Sequence, residues 1–139
     1  YSRFLFESKV VENRSNNFMF ADELSKMMLE AQKCAYGDGL DPEVLHPYMW
    51  VCKSHYYSAG LGFYNFPYAF GNLFAVGLYN MFLEEGENFI PKYKAMLKAT
   101  PTCTIEEAGA MMGIDLSDKK FWQSSLALIA KDIEEFCAL

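Results

Sequence analysis

Residues 21–37 read ADELSKMMLEAQKCAYG, and this stretch decides the fold class. Leu24, Met27, Met28 and Ala31 recur at i, i+3, i+4 and i+7, the spacing of one face of an α-helix. Asp22, Glu23 and Lys26 take the opposite face. Gly37 and Gly39 then supply the stop that glycine provides just past a helix end. Upstream, residues 2–14 are rich in helix formers, with Phe4, Leu5, Phe6, Val10 and Val11 as the apolar set. The polar break Arg14-Ser15-Asn16-Asn17 separates the two helices.

Downstream the helical signals continue. Asp41-Pro42-Glu43 has a capping residue followed by proline at a first helical position, which predicts a short helix halted by Pro47. Residues 54–83 carry no charged side chain. After Pro67 this run becomes a helix apolar on nearly every side, through Phe70, Leu73, Phe74, Val76, Leu78, Met81 and Phe82. Asn72, Asn80, Gly71 and Gly77 interrupt it, so it reads as a buried core helix rather than a membrane span. Ile90, Tyr93 and Leu97 mark the next helical face, closing at Thr100-Pro101. Thr104 and Glu107 have the spacing of a capping box, opening a brief helix that stops at Gly113. Ser117 or Asp118 caps a last helix with the stripe Trp122, Leu126, Ile129, Ile133 and Phe136. No segment alternates apolar and polar residues as a half-buried strand would. The expected fold class is all-α.

Composition narrows the function classes. The chain has 139 residues and a net charge of −6, the size of one domain or of one piece of a larger one. An apolar share of 52% against 22% charged excludes intrinsic disorder. Only 12 Lys and Arg, unclustered, argue against a nucleic-acid binder, which needs a basic face to neutralise phosphates. The 12 Phe and 9 Tyr are more aromatic surface than so short a chain readily covers by itself. With a start at Tyr1 rather than Met and no leader pattern, the expectation is a segment of a longer cytoplasmic polypeptide. Cys34, Cys52, Cys103 and Cys137 fit neither a zinc finger nor a disulfide framework and read as reduced, mostly buried thiols.

Chemistry-bearing motifs are few. The two histidines, His46 and His55, have Pro47 between them and cannot share a helical face as HExxH histidines do. Glu43 and His46 have a Glu-x-x-His spacing, a single copy of a pattern that carboxylate-bridged metal sites use in pairs. No nucleophile triad, P-loop or dinucleotide-binding glycine pattern is present. The segment from His55 to Gly71 remains: glycines that let a backbone approach a ligand, and tyrosines and a histidine that donate hydrogen bonds. It reads either as a substrate-binding loop or as aromatics packing a core with their polar tips satisfied locally.

The stretches LEAQ (29–32), YGDGLD (36–41), LHPYMW (45–50), HYY (55–57) and FYNFPYAFG (63–71) together resemble the C-terminal part of the bacterial oligoendopeptidase F family. These are thimet-oligopeptidase-like zinc metallopeptidases. GIDL (113–116) and FW (121–122) fit the same pattern, while Pro101 stands where that pattern leads one to expect glycine. The resemblance covers nearly the whole chain and implies that residues 1–139 are one C-terminal helical segment of a peptidase catalytic domain. It implies a mostly helical, two-lobed parent enzyme that hydrolyses short peptides. It also implies zinc as the parent's cofactor, held by an HExxH motif and a further Glu that this chain does not contain. No metal ligand is therefore expected here, and the isolated chain is expected to be inactive.

By the same resemblance His55 and Tyr68 are the catalytic candidates, donors to the oxygen that gains charge in the transition state. Tyr57, Gly60, Gly62 and Tyr64 are the substrate-binding candidates. The implied partners are short peptides and the remainder of the parent polypeptide, with no nucleic acid and no membrane. The alternative is a free-standing helical protein-interaction module with the aromatic loop as its docking surface.

Overall fold

The computed structural model describes residues 1–139 and is built of helices with no strand. It divides into two compact units, Tyr1–Pro67 and Tyr68–Leu139.

In the first unit α1 (Ser2–Arg14) and α2 (Ala21–Tyr36) pack side by side. Their bounds are those the sequence predicts, because each has an apolar face and a clear stop. Gly37, at φ +51°, provides the left-handed turn after α2 that a side chain would resist. The core is Phe6 from α1 with Met28 and Ala31 from α2, and Leu5, Val10, Leu24 and Met27 pack around it. Lys9 and Glu30 form an exposed ion pair across the two helices at 3.1 Å.

Residues 40–65 contain only one regular element, a single 3₁₀ turn over Ser54–Tyr57. The helix expected from Asp41-Pro42 does not form. The Asp41 carboxylate instead accepts the Glu43 amide at 2.9 Å, closing a turn of its own. This long segment is stitched to the helices by side chains. The buried Gln32 amide donates to the His46 carbonyl at 2.9 Å, and its oxygen accepts the His46 N–H at 3.2 Å. Trp50 Nε1 donates to Ser25 Oγ at 3.3 Å, and Met49, Trp50 and Tyr56 cover the core from this side.

The second unit holds most of α3 (Phe66–Glu85), then α4 (Phe89–Ala99), α5 (Ile105–Met111) and α6 (Lys119–Cys137). Its core gathers Leu78, Phe89, Met96, Ala108, Met112 and Ile114. The capping box forms as predicted: Glu107 N–H donates to Thr104 Oγ1 at 3.2 Å, and the Glu107 carboxylate accepts the Thr104 amide at 2.8 Å. Asp118 caps α6 by accepting the Lys120 amide at 2.9 Å. Before it, Asp115 accepts both the hydroxyl and the amide of Ser117, and these bonds hold its carboxyl below the usual range.

Several expectations about burial are corrected. Within α3 only Gly77 and Leu78 are buried, whereas Phe66, Tyr79 and Leu83 are exposed. The helix is therefore not the enclosed core element that its sequence predicts. No helix is long and apolar enough to cross a membrane. On α4 the buried side chains are Phe89 and Met96, while Ile90 and Leu97 are exposed. On α6 the stripe runs off the core, leaving Leu126, Ile133 and Phe136 exposed. All four cysteines are free, but Cys34, Cys52 and Cys137 are exposed rather than buried.

Candidate functional site

The candidate loop begins at the 3₁₀ turn Ser54–Tyr57, which carries His55 and Tyr57 on the exposed side and turns Tyr56 toward the α1–α2 core. The His55 and Tyr64 rings stack, with centroids 5.2 Å apart and planes 15° from parallel. The structure therefore brings together two of the residues singled out from sequence. Tyr57 donates its hydroxyl to the Trp50 carbonyl at 3.4 Å, so its ring is held against the preceding turn. His55, Tyr57 and Tyr64 are all exposed, with Tyr64 at 39% and Tyr57 at 61%.

Gly60 and Gly62 lie in the turns between these residues. A Cβ added at either would meet nothing within 4 Å, so neither glycine is required by crowding in this chain. Tyr68 belongs to the second unit, in the first turn of α3, and is 67% exposed.

The loop's conformation depends on a residue that sequence reading passed over. Phe63 has φ +54°, the left-handed region, which costs an L-residue about 1–2 kcal/mol. Glu7, on α1, offsets that strain. Its Oε1 accepts the Phe63 N–H at 2.6 Å, and its Oε2 accepts from Asn65 Nδ2 at 3.0 Å. Glu7 is 9% exposed, and a carboxylate withdrawn from water needs such donors. Hydrogen bonds to a charged group contribute about 1.5–3 kcal/mol each, enough to hold one left-handed residue. In the sequence Glu7 looks like any helix-surface glutamate, and nothing links it to a position 56 residues away.

Beneath the loop, Tyr56 packs on Phe6 with ring centroids 5.3 Å apart. Its hydroxyl is buried without a hydrogen-bond partner. Burial pushes the phenol up to about 12, the negative charge of Glu7 adds to the rise, and Arg3 opposes it.

His46 does not form a metal pair with Glu43. The segment between them is not helical, and His46 Nδ1 accepts the Tyr48 amide at 3.2 Å. No three His, Cys, Asp or Glu side chains gather closely enough to hold an ion, so the residues present do not fit zinc.

The second unit offers a different feature, an open apolar groove of about 550 Å³ along α3 and α4, lined by Phe74, Leu78, Tyr79, Phe82, Ile90 and Leu97 among others. Compared with family models, curated proteins and solved structures, the chain gave no match.

Proposed function

We propose that this chain is the substrate-facing, C-terminal helical part of a zinc-dependent oligoendopeptidase acting on short peptides in the cytoplasm. The observation that carries the reading is the exposed His55–Tyr64 stack, on a loop whose strained backbone is clamped by a buried carboxylate. Strain held in place by surrounding structure gathers where function demands a fixed geometry. The resemblance of residues 29–83 to oligoendopeptidase F supports the same reading. Zinc belongs to another part of the parent polypeptide.

The contribution of this chain is hydrogen-bond donation and substrate contact. As a peptide bond is attacked, its carbonyl oxygen gains negative charge, and fixed neutral donors stabilise that charge more than they stabilise the ground state. His55 and Tyr68 are the proposed donors, each assigned by its own place in the resembling sequence. A tyrosine hydroxyl and an imidazole N–H both serve this role. Tyr57 and Tyr64, with the turns at Gly60 and Gly62, are the proposed substrate contacts.

The test is peptidase activity of the complete polypeptide on a short quenched-fluorescent peptide, with and without a chelator. Tyr68→Phe and His55→Ala should each lower kcat by roughly 100–1000-fold with KM little changed. Zinc content should stay constant. Full turnover in both variants would overturn the assignment, and a complete polypeptide without HExxH would overturn the family reading.

A second reading, a helical interaction module, is favoured by the apolar groove on α3 and α4 and by the exposed stripe of α6. Those surfaces are equally expected of a segment that a parent polypeptide covers.

A further inference from the structure

We propose that Glu7 is the positioning residue for the His55–Tyr64 pair, acting from α1 through the two residues that flank Tyr64. The two oxygens of one carboxylate take different targets. One accepts the amide of Phe63, the residue before Tyr64, and the other accepts the side chain of Asn65, the residue after it. Tyr64 is thus bracketed at both neighbours by a single group on a helix of the core. Phe63 is the one non-glycine residue with positive φ, so the backbone at this point is held away from its preferred state. Local turn bonds run through the same residues, with the Tyr64 amide donating to the Leu61 carbonyl at 3.1 Å and the Phe63 carbonyl accepting the Phe66 amide at 3.0 Å. Glu7 adds the hydrogen bonds that tie this turn to α1, and without them the turn is free to shift and to carry the Tyr64 side chain with it. The stack on His55, at 5.2 Å, depends on the direction of that side chain.

The rest of the neighbourhood supports positioning over simple core packing. α1 is seated by Phe6, which packs with Met28 and Ala31 of α2 and also meets Tyr56 of the loop. Glu7 therefore acts from a helix of the core. Phe4, on the same helix, lies against Phe63 with ring centroids 5.7 Å apart, so the side chain of the strained residue is seated as well as its amide. The consequence for turnover rests on the reading of this loop as substrate-facing, but the geometric claim does not.

The experiment is NMR on the full chain with Glu7→Met and Glu7→Asp, beside Tyr64→Leu as the reference for a lost stack. Methionine keeps the length of Glu7 but carries no oxygen to accept from Phe63 or Asn65, and aspartate keeps the charge but is one methylene too short to hold both. In Glu7→Met the Phe63 amide proton should move upfield. The His55 ring protons should move to the positions they take in Tyr64→Leu, while the Met28 and Ala31 methyl signals of the core stay in place. Unchanged His55 ring shifts in Glu7→Met, with the core intact, would overturn the proposal whatever the activity. Should Glu7→Met fail to fold, Glu7→Asp decides by the same readout. In the complete polypeptide, Glu7→Met should lower kcat on the order of 100-fold with KM nearly constant, the penalty of a small misplacement. Altered His55 shifts with normal turnover would leave Glu7 as the positioning residue and overturn the catalytic reading of the loop instead.

Discussion

Two glycines on the same helix should respond to alanine with opposite signs. Gly71 and Gly77 both lie within α3. Alanine in a helix interior is favoured over glycine by about 1 kcal/mol, because glycine gives up more backbone freedom on folding. At Gly71 a Cβ meets nothing within 4 Å, so Gly71→Ala should stabilise the second unit by about 0.5–1 kcal/mol. At Gly77 a Cβ would lie 2.5 Å and 2.6 Å from two carbons of the Phe121 ring and 2.7 Å from Ser125 Oγ. Those are separations that real Cβ atoms essentially never show. Phe121 cannot readily swing aside, because its ring is held between Phe74 at 5.7 Å and Trp122 at 5.1 Å. Ser125 is fully buried and bonded back to the Phe121 carbonyl. Overpacking costs about 1–3 kcal/mol, and three contacts below 3.0 Å put this site in the upper part of that range, about 2–3 kcal/mol. Less the propensity gain of about 1 kcal/mol, Gly77→Ala should destabilise the unit by about 1–2 kcal/mol. The assay is urea unfolding followed by Trp122 fluorescence in a Trp50→Phe background, so that only the second unit reports. If Gly77→Ala matches Gly71→Ala in midpoint, α6 does not approach α3 as closely as these distances require.

Three further outcomes are expected. Thr104→Ala removes the oxygen that accepts the Glu107 amide and should cost about 1 kcal/mol in the same unfolding assay, whereas Thr104→Ser should cost little. The Tyr56 phenol, pushed up to about 12 from an ordinary value of 10, keeps its proton in the folded state after the unfolded chain has lost it. Its contribution to stability is therefore fully present below pH 10 and falls away as pH rises from 10 to 12. Ultraviolet titration should show a late tyrosine step that Tyr56→Phe abolishes, and a single step near 10 in the folded protein would contradict it. Cys34, Cys52 and Cys137 should react quickly with an aromatic disulfide reagent while Cys103, partly buried against the second core, lags. Equal rates for all four would mean that Cys103 is not shielded.

The helices were legible in sequence wherever one face is apolar and the ends are punctuated. α2 is such a case, with Met28 and Ala31 inside and Gly37 at its end. So are the Thr104–Glu107 box and the Asp118 cap, whose chemistry is local. Reading was weaker where apolar residues surround a helix. On α4, Phe89 and Ile90 adjoin, as do Met96 and Leu97, so periodicity alone does not choose which of each pair turns inward. Asp41 failed for a different reason: the same side chain that can start a helix can also close a turn, and Pro47 leaves little room for the helix. Of the candidate site, the aromatic loop was visible as a charge-free run with His55 and Tyr64 in it. The stacking of those two rings was not, because it depends on φ at Phe63 and on a glutamate from the opposite end of the unit. An apolar stripe tells what a surface seeks and not whether this chain supplies it, which is why α3 is less covered than an enclosed core helix and why the α6 stripe stands exposed.

Residues 40–65 are closed along their length by local turn bonds, such as Val51 N–H to the Tyr48 carbonyl and Leu61 N–H to the Ser58 carbonyl, and are tied to α1 and α2 through Gln32, Ser25 and Glu7. Part of what protects this segment's amides from exchange with solvent is therefore borrowed from the helical pair. A segment held in this way does not fray residue by residue from one end, as a helix terminus does. Between the ties it has short surface turns that exchange quickly, and at the ties it has amides, His46 and Phe63 among them, that are bonded to helix side chains and should exchange more slowly. The loop that carries His55 and Tyr64 thus opens less freely than a surface loop without such ties. Substitutions deep in the α1–α2 core, at Met28 or Phe6, will be felt as loosening of a surface they do not touch.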